Sequence, residues 1–224
     1  MKKPRQLALD LAHRPAFGAE DFFLSQSNEL AVKLIDDWPN WAQYGQLLIG
    51  PQASGKTHLV NVWVLRSQAH VIEARALPQA DLRSVRFDQS ICIENLHDGL
   101  ESEEALFHLL NKVNESGGHV LLTSRLAIGE LQPKLKDLRS RLLALPDITI
   151  NAPDEHLLKA VLIKQFADRQ IDIEPELVEY LFKRMERSLQ AVTHIVDALD
   201  RASLGSGRAI TRVLAREILF NPSR

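Results

Sequence analysis

The chain has 224 residues, of which 45% are hydrophobic and 25% charged, and its formal net charge is −2. These values exclude a largely disordered chain and give no overall positive charge of the kind that a large nucleic-acid surface needs. The single cysteine, Cys92, cannot form an internal disulfide, and its apolar surroundings predict a buried thiol. No apolar run approaches the ~18 residues of a membrane span, and the scattered histidines lack metal-ligand spacing. We therefore expect a cytoplasmic protein with no metal site built by protein side chains alone.

Short apolar runs alternate with amphipathic helices through the first two thirds of the chain. The predicted strands are Gln46–Ile49, His70–Glu73, Ser90–Glu94, His119–Thr123 and Asp147–Ile150. The predicted helices are Asn28–Trp38, His58–Gln68 and Glu101–Ser116, the last of which is closed by Gly117 and Gly118. This alternation predicts an α/β fold whose five-stranded parallel sheet is covered on both faces.

The pattern changes after Pro153, where helices follow one another without an intervening strand. The predicted helices are Asp154–Arg169, Pro175–Arg187, Leu189–Ala202 and Thr211–Phe220. We therefore predict a flexible arm over residues 1–16, a nucleotide-binding base domain over residues 17–152 and a small all-α domain over residues 153–224.

The most informative stretch runs from Gly50 to Thr57 and has the pattern G-x-x-x-x-G-K-[ST] of a phosphate-binding loop. Its glycines allow successive backbone N–H groups to point at phosphate oxygens, while Lys56 supplies positive charge and Thr57 a hydroxyl ligand for Mg²⁺. A strand precedes the loop and a helix follows it, so the phosphates would lie at a helix N-terminus. The loop predicts binding of ATP, ADP or a close relative.

Two further strands end in polar residues that suit this chemistry. In phosphate-loop enzymes an acid at the position of Glu94 holds Mg²⁺ through its water shell, and a second acid often activates the attacking water. The second position is Asn95, which cannot take a proton, so we expect weak intrinsic hydrolysis. At the end of the next strand, a polar side chain of the Thr123–Arg125 run could reach the γ-phosphate.

A basic run from Lys134 to Leu142 allows two interpretations. The simpler one is a solvated basic face. The other is an arginine finger, a guanidinium that stabilises transition-state charge at the γ-phosphate of a neighbouring subunit.

Together, these motifs in this order resemble an AAA+ ATPase, and more closely the central domain of the DnaA-related family. The resemblance implies a helical lid, an arginine finger at Arg141, a nucleotide-contacting lid arginine at Arg187 and a sensor at Ser124. It also implies nucleotide contacts from the adenine-pocket segment and the phosphate loop: Leu24, Asn28, Gly50, Gln52, Ala53, Ser54, Gly55, Lys56, Thr57 and His58. Thr57 and Glu94 would be associated with Mg²⁺.

A second resemblance lies at the N-terminus. The hexapeptide Gln6–Leu11 is similar to the peptide that docks on the DNA polymerase sliding clamp, with Gln6, Leu7, Leu9, Asp10 and Leu11 as the contact residues. An amide at the pocket mouth and leucines in apolar pockets suit an extended peptide ligand. The alternative is an arm that packs on its own domain.

The resemblance implies a negative regulator of replication initiation. It would be tethered to the clamp, contact DNA indirectly at the replisome or nucleoid, carry ADP or ATP with Mg²⁺, and stimulate ATP hydrolysis by DnaA. A self-assembling loader ATPase and a non-catalytic adaptor are the alternatives. A homodimer or higher oligomer is also left open.

Overall fold

The computed structural model describes residues 13–14, 22–79 and 85–220 of the chain. Within them the chain forms two compact units, and the chain passes from one to the other between Gln26 and Ser27 and between Ala152 and Pro153. One unit comprises residues 27–79 and 85–152 and is built around a sheet. The other comprises residues 13–14, 22–26 and 153–220 and is mainly helical.

The sheet of the first unit has five strands in the described residues, and every neighbouring pair is parallel. The strands are β1 Gly45–Ile49, β2 His70–Glu73, β3 Ser90–Glu94, β4 His119–Ser124 and β5 Asp147–Thr149. Their order across the sheet is β2-β3-β4-β1-β5. The carboxyl ends of all five strands therefore lie along one edge of the sheet. This architecture confirms the predicted α/β fold with its parallel sheet.

Five helices accompany the strands in the described part of this unit. They are α1 Glu29–Asp37, α2 Lys56–Ser67, α3 Glu103–Ser116, α4 Ile128–Leu131 and α5 Lys136–Ala144. Helix α3 has Glu103 and Glu104 in its first turn and ends at Gly117, whose φ of 73° is left-handed. Acidic residues at the start and glycine at the end suit the helix dipole and the C-cap geometry. The predicted closure of α3 is confirmed.

The hydrophobic core of this unit surrounds the central strands. All residues of β1 are buried, and Ile91, Cys92 and Ile93 of β3 are fully inaccessible. Since helices cover both faces of the sheet, the strands are continuously apolar rather than alternating. Cys92 is therefore a buried thiol, as the sequence predicts.

An aromatic cluster forms a second packed region of the same unit. Trp63 of α2 is fully buried and stacks on Trp41 with ring centroids 5.4 Å apart. His119, at the start of β4, meets the rings of Trp38 and Trp41 edge-on at 6.2 and 5.7 Å. The cluster therefore contains all three tryptophans of the chain.

The second unit contains four helices in its described residues: α6 Glu155–Asp168, α7 Pro175–Phe182, α8 Leu189–Ser206 and α9 Arg212–Phe220. Asp154 caps α6, since its Oδ1 accepts a hydrogen bond of 2.8 Å from the Leu157 N–H. Helix α8 begins in the same way, with Ser188 Oγ accepting from the Ala191 N–H. These helices pack around Phe166 and Leu181, both fully buried.

Several local features differ from the sequence prediction. Helix α7 ends at Phe182 rather than Arg187, and Ser188 caps the next helix. Helix α8 continues to Ser206, where Gly207 at φ 63° terminates it. His13–Arg14 pair antiparallel with Phe22–Phe23, in a segment where we expected no regular structure. Among the residues described, no helix has the length and apolar character needed to cross a bilayer.

Candidate nucleotide-binding site

The Gly50–Thr57 loop connects β1 to α2, as its motif requires. Gly55 has φ 102°, a conformation that favours glycine, and α2 begins immediately after it at Lys56. Gly50 is equally constrained: a Cβ there would lie 2.7 Å from Ser54 Oγ and 2.8 Å from the Ile150 carbonyl oxygen. The Gly50 N–H donates to the Ser124 carbonyl at 3.1 Å, which fixes the loop to the end of β4. The loop therefore has little room to deform.

Lys56 is folded back over the loop and is only 8% exposed. Its Nζ donates hydrogen bonds to the carbonyl oxygens of Gly50 at 2.7 Å and Pro51 at 2.8 Å. Burial lowers the pKa of Lys56, and the nearby Arg125 lowers it further, whereas Glu94 opposes both effects. A buried ammonium group next to a glycine-rich turn is well suited to receive an anion.

Ser54 provides an independent test of whether a phosphate fits this loop. Its Oγ is buried and has no hydrogen-bond partner among the described residues. A buried hydroxyl without a partner costs free energy, and a phosphate oxygen would satisfy it. Together with the close approach at Gly50, this orphaned group shows that the loop fits a phosphate. Thr57 is exposed in the first turn of α2, and Gln52 is exposed as well.

Glu94 and Asn95 lie at the end of β3, two strands from the loop. Burial raises the pKa of Glu94, and the negative charge of Glu73 raises it further, while Lys56 acts in the opposite direction. Asn95 has a left-handed backbone with φ 57°. Its N–H donates to Thr123 Oγ1 at 3.0 Å, and its Nδ2 donates to Glu73 Oε2 at 3.1 Å. Asn95 thus connects three neighbouring strand ends.

Ser124, the predicted sensor, is fully buried at the end of β4. Its Oγ donates to the Leu126 carbonyl at 2.7 Å and accepts from the Leu126 N–H at 3.0 Å, so the hydroxyl closes a local turn. The next residue, Arg125, is exposed, and its N–H donates to His97 Nδ1 at 3.3 Å. Burial lowers the pKa of His97, and its Nδ1 accepts a hydrogen bond, so both observations fit a neutral imidazole. The sensor role of Ser124 stays a prediction.

Arg141 lies on α5 and is half-buried within its own unit. Its Nη1 donates to Tyr44 Oη at 3.4 Å, and its guanidinium lies 5.8 Å from the Phe107 ring centroid. Its Nε is buried without a partner in the described residues. Arg139, two residues earlier on the same helix, is exposed. The guanidinium of Arg141 therefore has contacts within its own unit that the sequence does not indicate.

The other predicted site residues lie before α1, in the second unit or in and directly after the loop, and some fall outside the described residues. Asn28 is buried immediately before α1 in the first unit. Leu24 is half-buried in the second unit, where Arg187 is exposed with its guanidinium 5.8 Å from the Phe182 ring. Ala53, Gly55 and His58 lie in or directly after the loop and are partly exposed. The clamp-binding peptide, with Gln6, Leu7, Leu9, Asp10 and Leu11, lies outside the described residues.

Sequence reasoning missed three residues that the fold brings to these groups: Tyr44, Glu73 and His97. Only Glu73 carried a usable signal, since it is an acid at the end of a predicted strand. The contacts of the other two join positions far apart in the chain, such as Tyr44 and Arg141, which are 97 positions apart.

The second unit resembles a known protein family. Residues 154–219 match the model of the family described as Hda, lid domain. The chain is also 27% identical over 183 residues to an uncharacterised protein of Haemophilus influenzae, a match that covers 76% of this chain and 79% of the relative. It is 22% identical over 234 residues to the chromosomal replication initiator protein DnaA 1 of Chlamydia muridarum. That match covers 92% of this chain but only 50% of the relative.

Solved structures give the same fold. Domain III of DnaA from Thermotoga maritima superposes with a TM-score of 0.73 at 16% identity, covering 90% of this chain and 94% of that one. AMPPCP-bound DnaA from Aquifex aeolicus superposes with a TM-score of 0.67 at 15% identity, covering 80% and 63%. Fold and loop thus define the class, a phosphate-loop protein of the AAA+ type. Within that class the chain is a DnaA-related protein that resembles Hda.

Proposed function

We propose that the protein is a negative regulator of replication initiation that binds ADP or ATP with Mg²⁺ and stimulates ATP hydrolysis by DnaA. Nucleotide binding is supported by the loop geometry at Gly50, Ser54 and Lys56. It is supported further by the bound AMPPCP of the Aquifex aeolicus relative. Thr57 and Glu94 would hold Mg²⁺, directly and through water respectively, and the metal would offset phosphate charge.

One observation carries the regulatory part of the proposal: Arg141 lies on α5 with its guanidinium held in place by Tyr44 and Phe107. A guanidinium held in advance loses less conformational entropy when it meets a phosphate on a partner. Arginine fingers supplied in trans accelerate phosphoryl transfer by about 10³–10⁵-fold in small GTPases. The match of the helical unit to the Hda lid makes DnaA the partner to test.

Clamp tethering is the remaining part of the proposal and rests on the Gln6–Leu11 peptide alone. A tether to the clamp would raise the effective concentration of this protein near DnaA, so that a weak interaction between the two could still form. The proposed setting is the cytoplasm, at replisomes on DNA that carries the clamp.

The test is ATP hydrolysis by the cognate DnaA on clamp-loaded DNA. The variants are Arg141→Lys, which keeps the charge and much of the stem, and Arg139→Lys as the matched change on the same helix. Stimulation by the wild type that survives Arg139→Lys and is lost in Arg141→Lys supports the finger. Loss in Arg139→Lys alone would move the finger to Arg139.

The tether is tested in the same assay with Gln6→Ala/Leu9→Ala. We expect this variant to lose stimulation on clamp-loaded DNA and to lose binding to the clamp. Wild-type protein that binds the clamp but leaves DnaA hydrolysis unchanged would contradict the inactivator and favour an adaptor. ATP-dependent self-assembly with rapid intrinsic hydrolysis would favour a loader ATPase.

A further inference from the structure

The carboxyl end of β2 places a further acid, Glu73, beside the candidate site. Glu73 is the last residue of β2, and it lies directly opposite Glu94 in the parallel register of β2 and β3. Both acids therefore occupy the sheet edge from which the phosphate loop emerges. Adjacent strands are only ~4.8 Å apart, so a side chain on β2 is one strand spacing from the Mg²⁺-associated position.

Asn95 connects this acid to the site. Its backbone N–H donates a hydrogen bond to Thr123 Oγ1 on β4. Its side chain reaches the strand on the opposite side, β2, where Nδ2 donates to Glu73 Oε2 at 3.1 Å. The backbone of Asn95 is left-handed, a conformation that asparagine tolerates better than most residues. Asn95 thus stands where phosphate-loop enzymes often have a second acid, and its amide is hydrogen-bonded to the carboxylate of Glu73 on the neighbouring strand.

The electrostatics agree with this placement. The charge of Glu73 contributes to the raised pKa of Glu94, and Glu94 in turn acts on Lys56 in the phosphate loop. The three groups therefore lie within electrostatic reach of their neighbours along the edge of the sheet. Glu73 is only partly exposed, and its Oε2 accepts the hydrogen bond from Asn95 Nδ2.

We propose that Glu73 is the water-activating carboxylate of this nucleotide site, positioned by Asn95. The oxygen of a water molecule attacks the γ-phosphorus of ATP while one of its protons passes to Glu73. The bond from the γ-phosphorus to the β–γ bridging oxygen breaks, ADP and inorganic phosphate leave, and the proton is released to solvent. A slow reaction of this kind would keep the resident nucleotide as ADP. The inference rests on the nucleotide-binding part of the proposed function and not on DnaA.

The rival interpretation is structural: Glu73 would only anchor Asn95 at the edge of the sheet. Glu73→Gln separates the catalytic from the structural interpretation, because a glutamine amide oxygen can still accept a hydrogen bond from Asn95 Nδ2 while the carboxylate is lost. Asn95→Gly keeps the left-handed backbone without strain and removes the positioning amide. Glu115→Gln, an exposed change on α3, is the matched control.

The experiment measures single-turnover hydrolysis of ATP by the full-length protein, together with the affinity for ATP and the nucleotide that copurifies with each variant. We expect Glu73→Gln to slow hydrolysis about 10²-fold or more, as loss of a general base does, with ATP affinity changed by less than about 3-fold. It should copurify with a larger share of ATP. Asn95→Gly should slow hydrolysis less, and Glu115→Gln should match the wild type.

A Glu73→Gln protein that binds ATP normally and hydrolyses it at the wild-type rate would overturn the inference. So would a wild-type protein that binds ATP and never hydrolyses it. Failure to bind any nucleotide would overturn both this inference and the proposed nucleotide site. The proposed stimulation of DnaA depends on Arg141, so the Glu73→Gln protein loaded with ADP should still stimulate ATP hydrolysis by DnaA. The role of Glu73 can therefore be tested separately from the role of Arg141.

Discussion

Arg141 on α5 donates a hydrogen bond of 3.4 Å through Nη1 to the hydroxyl of Tyr44, which lies immediately before β1. The guanidinium also lies over the Phe107 ring at 5.8 Å. The proposed finger is therefore a packed side chain of its own unit. Substitutions of Arg141 should consequently affect the stability of the fold as well as the proposed activity.

The first prediction separates these two effects. Arg141→Ala should lower the free energy of unfolding by about 1 kcal/mol, because it removes a cation–π contact, a hydrogen bond and a partly buried stem. Arg139→Ala, on the exposed face of the same helix, should change it by less than about 0.5 kcal/mol. Urea denaturation of both variants measures the difference. Equal stability losses would show that the contacts of Arg141 contribute nothing measurable.

The second prediction concerns the fit of the phosphate loop. Gly50→Ala places a methyl group against Ser54 Oγ and the Ile150 carbonyl, so we expect a loss of about 1–3 kcal/mol in unfolding free energy. ADP affinity should fall at least tenfold, because the loop must shift. Gly129→Ala is the control, since a Cβ at that helical position meets nothing within 4 Å. Thermal unfolding and titration with a fluorescent ADP analogue check both variants. Normal ADP binding by Gly50→Ala would contradict the proposed cradle.

The sequence predicts the fold well because the fold depends on local patterns. Apolar runs such as the one from Ser90 to Glu94 match their strands, and Gly117 ends α3 where glycine is expected. The phosphate loop is also predictable, since strand, loop and helix are contiguous. Helix α5 is harder to predict, because its basic residues also fit a solvated basic face and only Leu138 and Leu142 of the helix are buried.

The arrangement around the loop could not be predicted in the same way. Whether Asn95 faces Glu73 or the phosphates depends on its left-handed backbone and on a bond to Thr123, which is 28 residues away. Ser124 illustrates the same limit, because its hydroxyl donates to the Leu126 carbonyl in a turn that the sequence does not predict. Residue identity places a polar group at the site, but tertiary contacts decide where that group points.

The third prediction concerns the bond that joins β3 to β4. Thr123→Val keeps the shape of the side chain and removes the oxygen that accepts from the Asn95 N–H at 3.0 Å. A partly buried N–H left without a partner costs about 1–3 kcal/mol, so the unfolding free energy should fall by that order. Thr149→Val on β5, where the side chain is exposed, should change it far less. Urea denaturation of the two variants is the measurement. A Thr123→Val protein as stable as the wild type would contradict the role assigned to this bond.

The fourth prediction concerns pH and the aromatic cluster. Burial lowers the pKa of His119 below its ordinary value of 6.5, although a hydrogen bond to the Pro39 backbone partly opposes this effect. Below pH 6.5 the folded state therefore binds fewer protons at this position than the unfolded state. The contribution of His119 to stability is complete above that pH and is lost as the pH falls towards the lowered folded value.

Replacing this histidine should remove that part of the pH dependence. We expect the unfolding free energy of the wild type to decrease between pH 7 and pH 5, and the decrease to be smaller in His119→Gln. His97, whose pKa burial also lowers, contributes a decrease of the same sign, so His97→Gln is the comparison variant. Tryptophan fluorescence reports unfolding and also distinguishes the two sites, because Trp38 and Trp41 contact His119 directly. A native-state fluorescence change between pH 7 and pH 5 should thus disappear in His119→Gln and persist in His97→Gln. Its persistence in His119→Gln would assign the titration to another group.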